Sequence, residues 1–266
     1  MDDARTLRWS AVGEEPLGAL LRPGGLVTFF QPIVEVTSRG NALWSVECLT
    51  RAPDVLPFAS AREMFAYVRH CGAEIPMDRA CIREALRTAS RLPGVPRFCL
   101  NVHARTLADD RHFATFLAGE LRRGGFSPRS VALEVLAPRD LTPALFEAIE
   151  QLRSIGISIG VGDAGLSTTD YEGLVECRPD YLKVDRCFVR RGPPDDLREV
   201  VLESVVRLAE GIGAAVVAQG VETADELDAV LRQGILIVQG HLFGAAVSPE
   251  HMMTRGLLQR TGAACG

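Results

Sequence analysis

The sequence predicts an α/β fold, a modified TIM (β/α)8 barrel in which the first strand runs antiparallel to its neighbour. The chain has 266 residues, close to the roughly 250 typical of such barrels. Short apolar runs alternate with longer segments of helical periodicity, which is the order of a (β/α) barrel. The first two strand-like runs are joined only by the polar turn Thr37 to Asn41. A turn this short permits antiparallel pairing but no parallel crossover.

The elements follow one another along the chain with consistent signals. Each predicted strand is a short run rich in apolar residues, and these runs cover residues 26–36, 42–49, 97–101, 131–136, 157–161, 181–184, 214–218 and 235–239. Each predicted helix repeats its apolar side chains at three and four residues, and these segments cover residues 17–21, 59–70, 78–91, 111–123, 143–154, 197–210 and 224–233. Pro143 suits a first helical turn, whereas Gly124 and Gly211 end the helices before them.

The chain is expected to form one barrel domain with short ends. Residues 1–25 form an N-terminal segment with the first helix, residues 26–258 form the barrel, and residues 259–266 form a flexible tail. The net charge of −5 argues against polymeric nucleic acid as a partner. Seven cysteines form no CxxC pair, and no apolar run resembles a signal peptide or membrane span. We therefore expect a cytoplasmic protein that does not enter a membrane.

Polar residues recur at the ends of the predicted strands. They are Glu47, Asn101, Glu134, Asp163, Lys183, Gln219 to Glu222, and Gln239. Parallel barrel strands end on one face, so these side chains, far apart in sequence, are expected to meet in one pocket. Carboxylates, amides and a lysine gathered there indicate a site for divalent metal and phosphate.

Several motifs between about Val27 and Leu258 lie in a recognisable order. They are Phe30–Val34, Glu47–Leu49 followed by Arg51, Asn101–Arg105, Leu133–Val135, Lys183–Arg186, Gly220–Thr223 and Gln239–Phe243. In this order they resemble the EAL domain family of cyclic di-GMP phosphodiesterases and their degenerate relatives. The signature Glu-Ala-Leu of that family stands here as Glu-Cys-Leu. The family's barrel also has an antiparallel first strand, in agreement with the short turn.

The resemblance implies a set of site residues and a cofactor. The metal ligands that it implies are Glu47, Asn101, Glu134 and Asp163. The nucleotide-binding residues that it implies are Gln31, Arg51, Asp78, Lys183, Asp185, Glu222 and Gln239. Arg51 would grip a phosphate with its planar guanidinium, and Asp78 would pair with a guanine edge. An active member would use Mg2+ or Mn2+, and the family commonly dimerises, although Ala164 to Asp170 departs from the segment involved.

The departures from the family pattern concern the catalytic carboxylates. Gly162 stands where the family has an aspartate shared by two metals, and Gln219 stands where it has a glutamate that binds metal or activates water. A loop-anchoring glutamate is replaced by Ala137 and a proline by Ala246. Two-metal hydrolysis needs cations roughly 3.5–4 Å apart on a shared bridging ligand. Loss of a general base alone removes about 10²–10⁴-fold of the rate.

We therefore favour a degenerate domain that binds cyclic di-GMP, a protein partner, or both, without efficient hydrolysis and without a required cofactor. Fewer carboxylates repel the ligand's two phosphates less, which favours metal-free binding. One alternative is a weak metal-dependent phosphodiesterase that recruits another carboxylate, for example Asp170. Another is a protein-interaction module with no nucleotide affinity. A homodimer is compatible with all three, and His103 is expected to have a structural role.

Overall fold

The computed structural model describes residues 15–136, 142–164, 174, 176–190 and 195–254. The predicted tail, Ala137, Asp170 and most of the N-terminal segment lie outside these residues. The eight strands close into a barrel in sequence order. They are β1 (Val27–Thr37), β2 (Gly40–Arg51), β3 (Phe98–His103), β4 (Val131–Leu136), β5 (Ser158–Ala164), β6 (Tyr181–Val184), β7 (Ala215–Gln219) and β8 (Ile237–Gln239).

The direction of β1 agrees with the length of the turn after it. β1 pairs antiparallel with β2 and with β8, whereas every other neighbouring pair is parallel. The predicted modified (β/α)8 barrel is confirmed. A shift in register between Ile33 and Val34 interrupts the long first hairpin, and such an irregularity bends a strand locally.

The helices of the described residues pack around the barrel. They are α1 (Glu15–Leu21), α2 (Ala61–His70), α3 (Glu74–Ala89), α4 (Ala104–Asp109), α5 (Phe113–Gly124), α6 (Pro143–Ser154), α7 (Arg186–Val189), α8 (Asp195–Ile212), α9 (Ala224–Arg232) and α10 (Pro249–Thr254). None of these described helices combines the length and the apolar content that a membrane crossing needs.

Several helical segments differ from the sequence prediction. α3 begins at Glu74 rather than residue 78, because Pro76 falls in its first turn, where a proline needs no intrahelical hydrogen bond. α4 and α7 were not predicted. They are a few residues long and directly follow strands, so neither is long enough to show a helical repeat.

A small apolar plug fills the barrel interior below the strand ends. Its buried residues are Ile33, Cys99, Ala132, Tyr181 and Val217, with Ile237 and Trp44 packed against them. Gly160 makes room for the Tyr181 ring, because a Cβ at residue 160 would lie 2.0 Å from Tyr181 Cζ. The plug gives the polar residues above it a dry floor.

Candidate functional site

The polar site is the next layer of side chains above the apolar plug. Side chains two residues apart on a strand point to the same side, so each interior plug residue predicts an interior neighbour two positions on. Cys99, Ala132, Tyr181, Val217 and Ile237 are followed in this way by Asn101, Glu134, Lys183, Gln219 and Gln239. On the antiparallel β1 the same step is taken backwards, from Ile33 to Gln31. The strand-end pocket expected from the sequence thus has a geometric basis.

Lys183 is the centre of this layer. Its Nζ lies 2.8 Å from Glu47 Oε2 and 2.9 Å from Glu134 Oε2, and its side chain is only 1% exposed. Burial lowers the pKa of Lys183, but the negative charges of Glu134 and Glu47 outweigh burial and raise it above its ordinary value. The ammonium is therefore held charged between two carboxylates.

Glu47 also accepts hydrogen bonds from two amide side chains. Asn101 Nδ2 donates to its Oε1 at 2.9 Å, and Gln239 Nε2 donates to its Oε2 at 2.7 Å. Burial raises the pKa of Glu47, yet the charge of Lys183 and the hydrogen bonds from Asn101, Lys183 and Gln239 lower it overall. Glu47 is consequently an ionised group that its neighbours already satisfy.

The antiparallel strand adds one more amide to this network. Gln239 Nε2 lies 3.2 Å from Gln31 Oε1, and Gln31 Nε2 donates to the carbonyl of Gly244 at 3.1 Å. The Oε1 of Gln239 is buried and has no hydrogen-bond partner among the described residues. A buried acceptor without a partner is uncommon in folded proteins.

Gly162 and Glu134 share one small space. An ideal Cβ placed on Gly162 would lie 2.7 Å from Glu134 Oε1, closer than side-chain atoms tolerate. Glu134 in turn pairs with Lys183. An aspartate at residue 162 would therefore require the Glu134 carboxylate, the end of a flexible side chain, to shift.

A cavity of about 240 Å³ opens above this layer. Its polar walls include Glu47, Asn101, Glu134, Gln219 and Arg51, so the cavity collects side chains from four strands, β2, β3, β4 and β7. Its other walls are mainly apolar and come from α2, α3 and the ends of β3 and β4, and they include Phe65, Ile82, Ala85, Leu100 and Leu136. A polar end joined to an apolar end suits a ligand that carries both phosphate and a ring.

The remaining predicted ligand residues have other contacts in this structure. Arg51 lines the cavity and donates from Nη1 to the carbonyl of its neighbour Thr50 at 3.0 Å. Asp185 caps α7 by accepting from the backbone N–H of Cys187 at 2.7 Å. Glu222 lies 3.6 Å from Arg186 Nη2 and 3.7 Å from an Arg190 nitrogen. The side chain of Asp163 lies outside the described part.

Asp78 lines the cavity, but its oxygens are used by the protein itself. They accept from the backbone N–H and the ring of His103 and from the hydroxyl of Thr106. His103 also lines the cavity. The absence of metal-ligand spacing among the histidines predicts a structural role for His103, and this stays a prediction. Strand alternation places His103 two residues beyond Asn101 on β3.

The described side chains do not fit a pair of divalent cations as they stand. Glu47, Glu134 and Asn101 are oxygen donors, but the ammonium of Lys183 lies between the two carboxylates. Within the described residues, no three His, Cys, Asp or Glu side chains form a metal-binding cluster. A cation between Glu47 and Glu134 would have to displace Lys183, and Gly162 offers no oxygen to a second cation.

Comparison with known proteins identifies the family. The family model for the EAL domain matches residues 15–246. The "Probable cyclic di-GMP phosphodiesterase PdeG" of Escherichia coli K12 is 28% identical over 244 residues, which cover 88% of this chain and 47% of that protein. The chain thus spans less than half the length of this relative, and it spans 21% and 34% of two further E. coli relatives, PdeA and PdeL.

Two solved structures have the same architecture. The EAL enzyme Bd1971, in a form bound to cAMP and cyclic di-GMP, has a TM-score of 0.83 at 20% identity and covers 94% of this chain and 69% of that chain. Klebsiella pneumoniae BlrP1, in a complex with manganese and cyclic di-GMP at pH 6, has a TM-score of 0.72 at 28% identity and covers 85% of this chain and 57% of that chain.

Proposed function

Because this chain belongs to the EAL domain family, we propose that it is a degenerate member that binds cyclic di-GMP, a protein partner, or both, and does not hydrolyse the nucleotide efficiently. The relatives named above include cyclic di-GMP phosphodiesterases and structures that contain this ligand. The proposed function therefore includes binding of cyclic di-GMP but not its efficient hydrolysis.

The observation that carries the proposal is the position of the Lys183 ammonium between Glu47 and Glu134. These two carboxylates are the strongest oxygen donors among the described site residues. Both are paired with the same lysine, and Glu134 Oε1 lies beside Gly162. Two-metal phosphodiester cleavage needs a bridging oxygen and a pair of cations, and this arrangement supports neither.

Gln219 supports the same conclusion from the opposite side of the cavity. It lines the cavity at the end of β7, where a carboxylate would take the proton of an attacking water. An amide keeps the shape of a carboxylate but has no useful basicity. The loss of a general base slows hydrolysis by about 10²–10⁴-fold even where a nucleophilic water is present.

The charge of the polar layer favours an anionic ligand without metal. This layer has a net charge of one negative unit, because the two carboxylates of Glu47 and Glu134 face the single ammonium of Lys183. An aspartate at residue 162 and a glutamate at residue 219 would add two more. Arg51 lines the same cavity and offers a guanidinium that binds phosphate in a bidentate manner. We propose that Arg51 is the principal phosphate contact.

A second function has a specific observation in its favour. Asn101, Glu47 and Glu134 lie within one hydrogen-bonded network, so a weak metal-dependent phosphodiesterase would need only a cation that displaces Lys183 and an added carboxylate such as Asp170. A third function is a protein-interaction module without nucleotide affinity.

We further propose a reducing, cytoplasmic location, since the described cysteines are all free. A homodimer stays a prediction.

Calorimetry with cyclic di-GMP separates the three functions. The titration is run once with a chelator and once with Mg2+ or Mn2+, and the nucleotide is then analysed by chromatography. The proposed function requires binding that is independent of metal and leaves the nucleotide intact. Linear dinucleotide formed with Mn2+ would establish the weak enzyme, and no heat at high nucleotide concentration would leave the protein-interaction module.

A further inference from the structure

A second cavity lies on the outside of the barrel, between the turn that follows α1 and the outer face of α3. Its volume is about 240 Å³. We call it the flank groove, and it is defined by Arg22, Leu26, Ala80, Arg83, Glu84 and Arg87. None of these residues lines the cavity at the strand ends, so the flank groove is a separate feature of the molecule.

The two cavities lie on opposite sides of α3. The cavity at the strand ends takes Asp78, Ile82 and Ala85 from this helix, whereas the flank groove takes Arg83 and Arg87. An α-helix has about 3.6 residues per turn, which places these two sets on opposite faces. A substitution in the flank groove therefore leaves the strand-end cavity untouched.

The flank groove has an excess of positive charge, although the net charge of the chain is −5. Three arginines and one glutamate line it. Arg87 donates to the Glu84 carboxylate from Nε at 2.9 Å and from Nη2 at 2.6 Å, so this pair is neutral as a unit. Arg22 and Arg83 are left as the two cations that face a ligand in the groove.

Arg83 is held in place by contacts that leave its terminal nitrogens unused. Its Nε donates to Glu120 Oε1 at 3.0 Å, and its guanidinium carbon lies 4.9 Å from the centroid of the Phe116 ring. Its side chain is 53% exposed, and its Nη atoms form no hydrogen bond with the described residues. Glu120 also pairs with Arg123. A guanidinium ordered in this way loses less side-chain entropy when it binds a carboxylate.

The floor of the flank groove is apolar, and the turn beside it is closely packed. Leu26 is 5% exposed and lies under the groove together with Ala80. A Cβ on Gly25 would lie 2.0 Å from the carbonyl oxygen of Ala19, so the turn follows the end of α1 without a gap. Arg22 is exposed in this turn and forms no ion pair with the described part of the chain. Cations thus surround an apolar floor.

This combination matches the chemistry of an acidic peptide. Arginine clusters recognise acidic motifs through charge-assisted hydrogen bonds, and an apolar floor accepts an aliphatic or aromatic side chain. Free phosphate has charge for the arginines but nothing for the floor. A peptide with carboxylates on either side of an apolar residue satisfies both parts of the groove.

We propose that the flank groove binds an acidic segment of a partner protein, with carboxylates on Arg22 and Arg83 and an apolar side chain on Leu26. This inference rests on the part of the proposed function that names a protein partner, and it adds the place and the chemistry of that contact. It does not depend on cyclic di-GMP, because the groove shares no residue with the strand-end cavity.

Selection from a random peptide library on the immobilised full chain tests the groove without a known partner. The enriched sequences should carry Asp or Glu on both sides of an apolar residue. The affinity of a labelled enriched peptide is then measured by fluorescence polarisation at physiological ionic strength, where the Debye length of about 8 Å screens distant charges. The same peptide with Gln for Glu and Asn for Asp serves as the uncharged comparison.

Arg22→Glu is the main variant, because it reverses the charge of an exposed side chain without breaking an ion pair of the described residues. The loss of a charge-assisted hydrogen bond should weaken peptide binding about tenfold or more. The matched control is Arg39→Glu, which makes the same change in charge at the exposed turn between β1 and β2. Its affinity for the peptide should equal that of the parent protein.

Support requires acidic sequences in the selection, weaker binding of the uncharged peptide, and a loss in Arg22→Glu that Arg39→Glu does not show. The inference is overturned if no acidic sequence is enriched, if Arg22→Glu binds the peptide as the parent does, or if both variants lose affinity equally. Inorganic phosphate that displaces the labelled peptide more readily than unlabelled peptide does would indicate a phosphate site instead.

Cyclic di-GMP titrated into Arg22→Glu separates this inference from the nucleotide-binding function. The variant should bind the nucleotide as the parent does, since Arg22 lies outside the strand-end cavity. A parent protein that binds the peptide but no cyclic di-GMP would leave the groove in place and remove the nucleotide. The reverse result would remove the groove alone.

Discussion

Replacement of Lys183 by methionine is the sharpest test of the charged layer. The side chains of Lys183, Glu47 and Glu134 are 1%, 5% and 6% exposed, so the variant leaves two carboxylates buried without their cation. Removal of one partner from a buried ion pair destabilises a protein by about 3–5 kcal/mol. For a domain of this size that corresponds to a fall of roughly 6–20 °C in Tm.

The loss of stability in Lys183→Met is expected to depend on pH in a defined direction. In the parent protein the pKa of Glu47 is lowered, so its contribution to stability is present above its unfolded pKa and is lost as pH falls through the folded pKa. In Lys183→Met, burial is the largest remaining influence and raises that pKa. The penalty is then greatest near pH 7 and shrinks as the pH is lowered towards 5, because a carboxylate takes up a proton.

Chemical and thermal unfolding at pH 7 and pH 5 measure both effects. The matched control is Arg207→Met, which removes an exposed helical ion pair with Glu203 and should change stability by at most about 1 kcal/mol at either pH. A triple variant that also carries Glu47→Gln and Glu134→Gln should recover much of the loss. Equal, small effects of Lys183→Met and Arg207→Met would refute the buried charge network.

Three further predictions concern the site and the apolar plug beneath it. Gly162→Asp should lower the metal-free Tm, because its Cβ would meet Glu134 Oε1, and added Mn2+ should recover part of the loss; a raised metal-free Tm would contradict this. Arg51→Ala should abolish nucleotide binding in calorimetry while Glu134→Ala changes it little, and equal losses would indicate that metal takes part. Gly160→Ala should destabilise the fold in urea by about 1–3 kcal/mol through overpacking, whereas Gly119→Ala, in open space on a helix, should be neutral or stabilising.

Much of the fold could be predicted because it depends on local chain properties. Strand and helix periods are visible in the residue pattern, and the short Thr37–Asn41 turn required an antiparallel first pair, as the structure has it. The short helices α4 and α7 could not be predicted in this way. They depend on the strands that precede them and on caps such as Asp185, which a periodicity search does not register.

The sequence by itself determined which residues reach the strand ends, and it determined that Gly162 and Gln219 bring no carboxylate there. It did not determine how the charged side chains would pair. Only closure of the barrel brings Lys183 of β6 between Glu47 of β2 and Glu134 of β4, and only packing of α3 against β3 turns Asp78 towards His103. Such pairings join residues far apart in the chain, and in a dry interior each ionised group takes the partner that lies within reach.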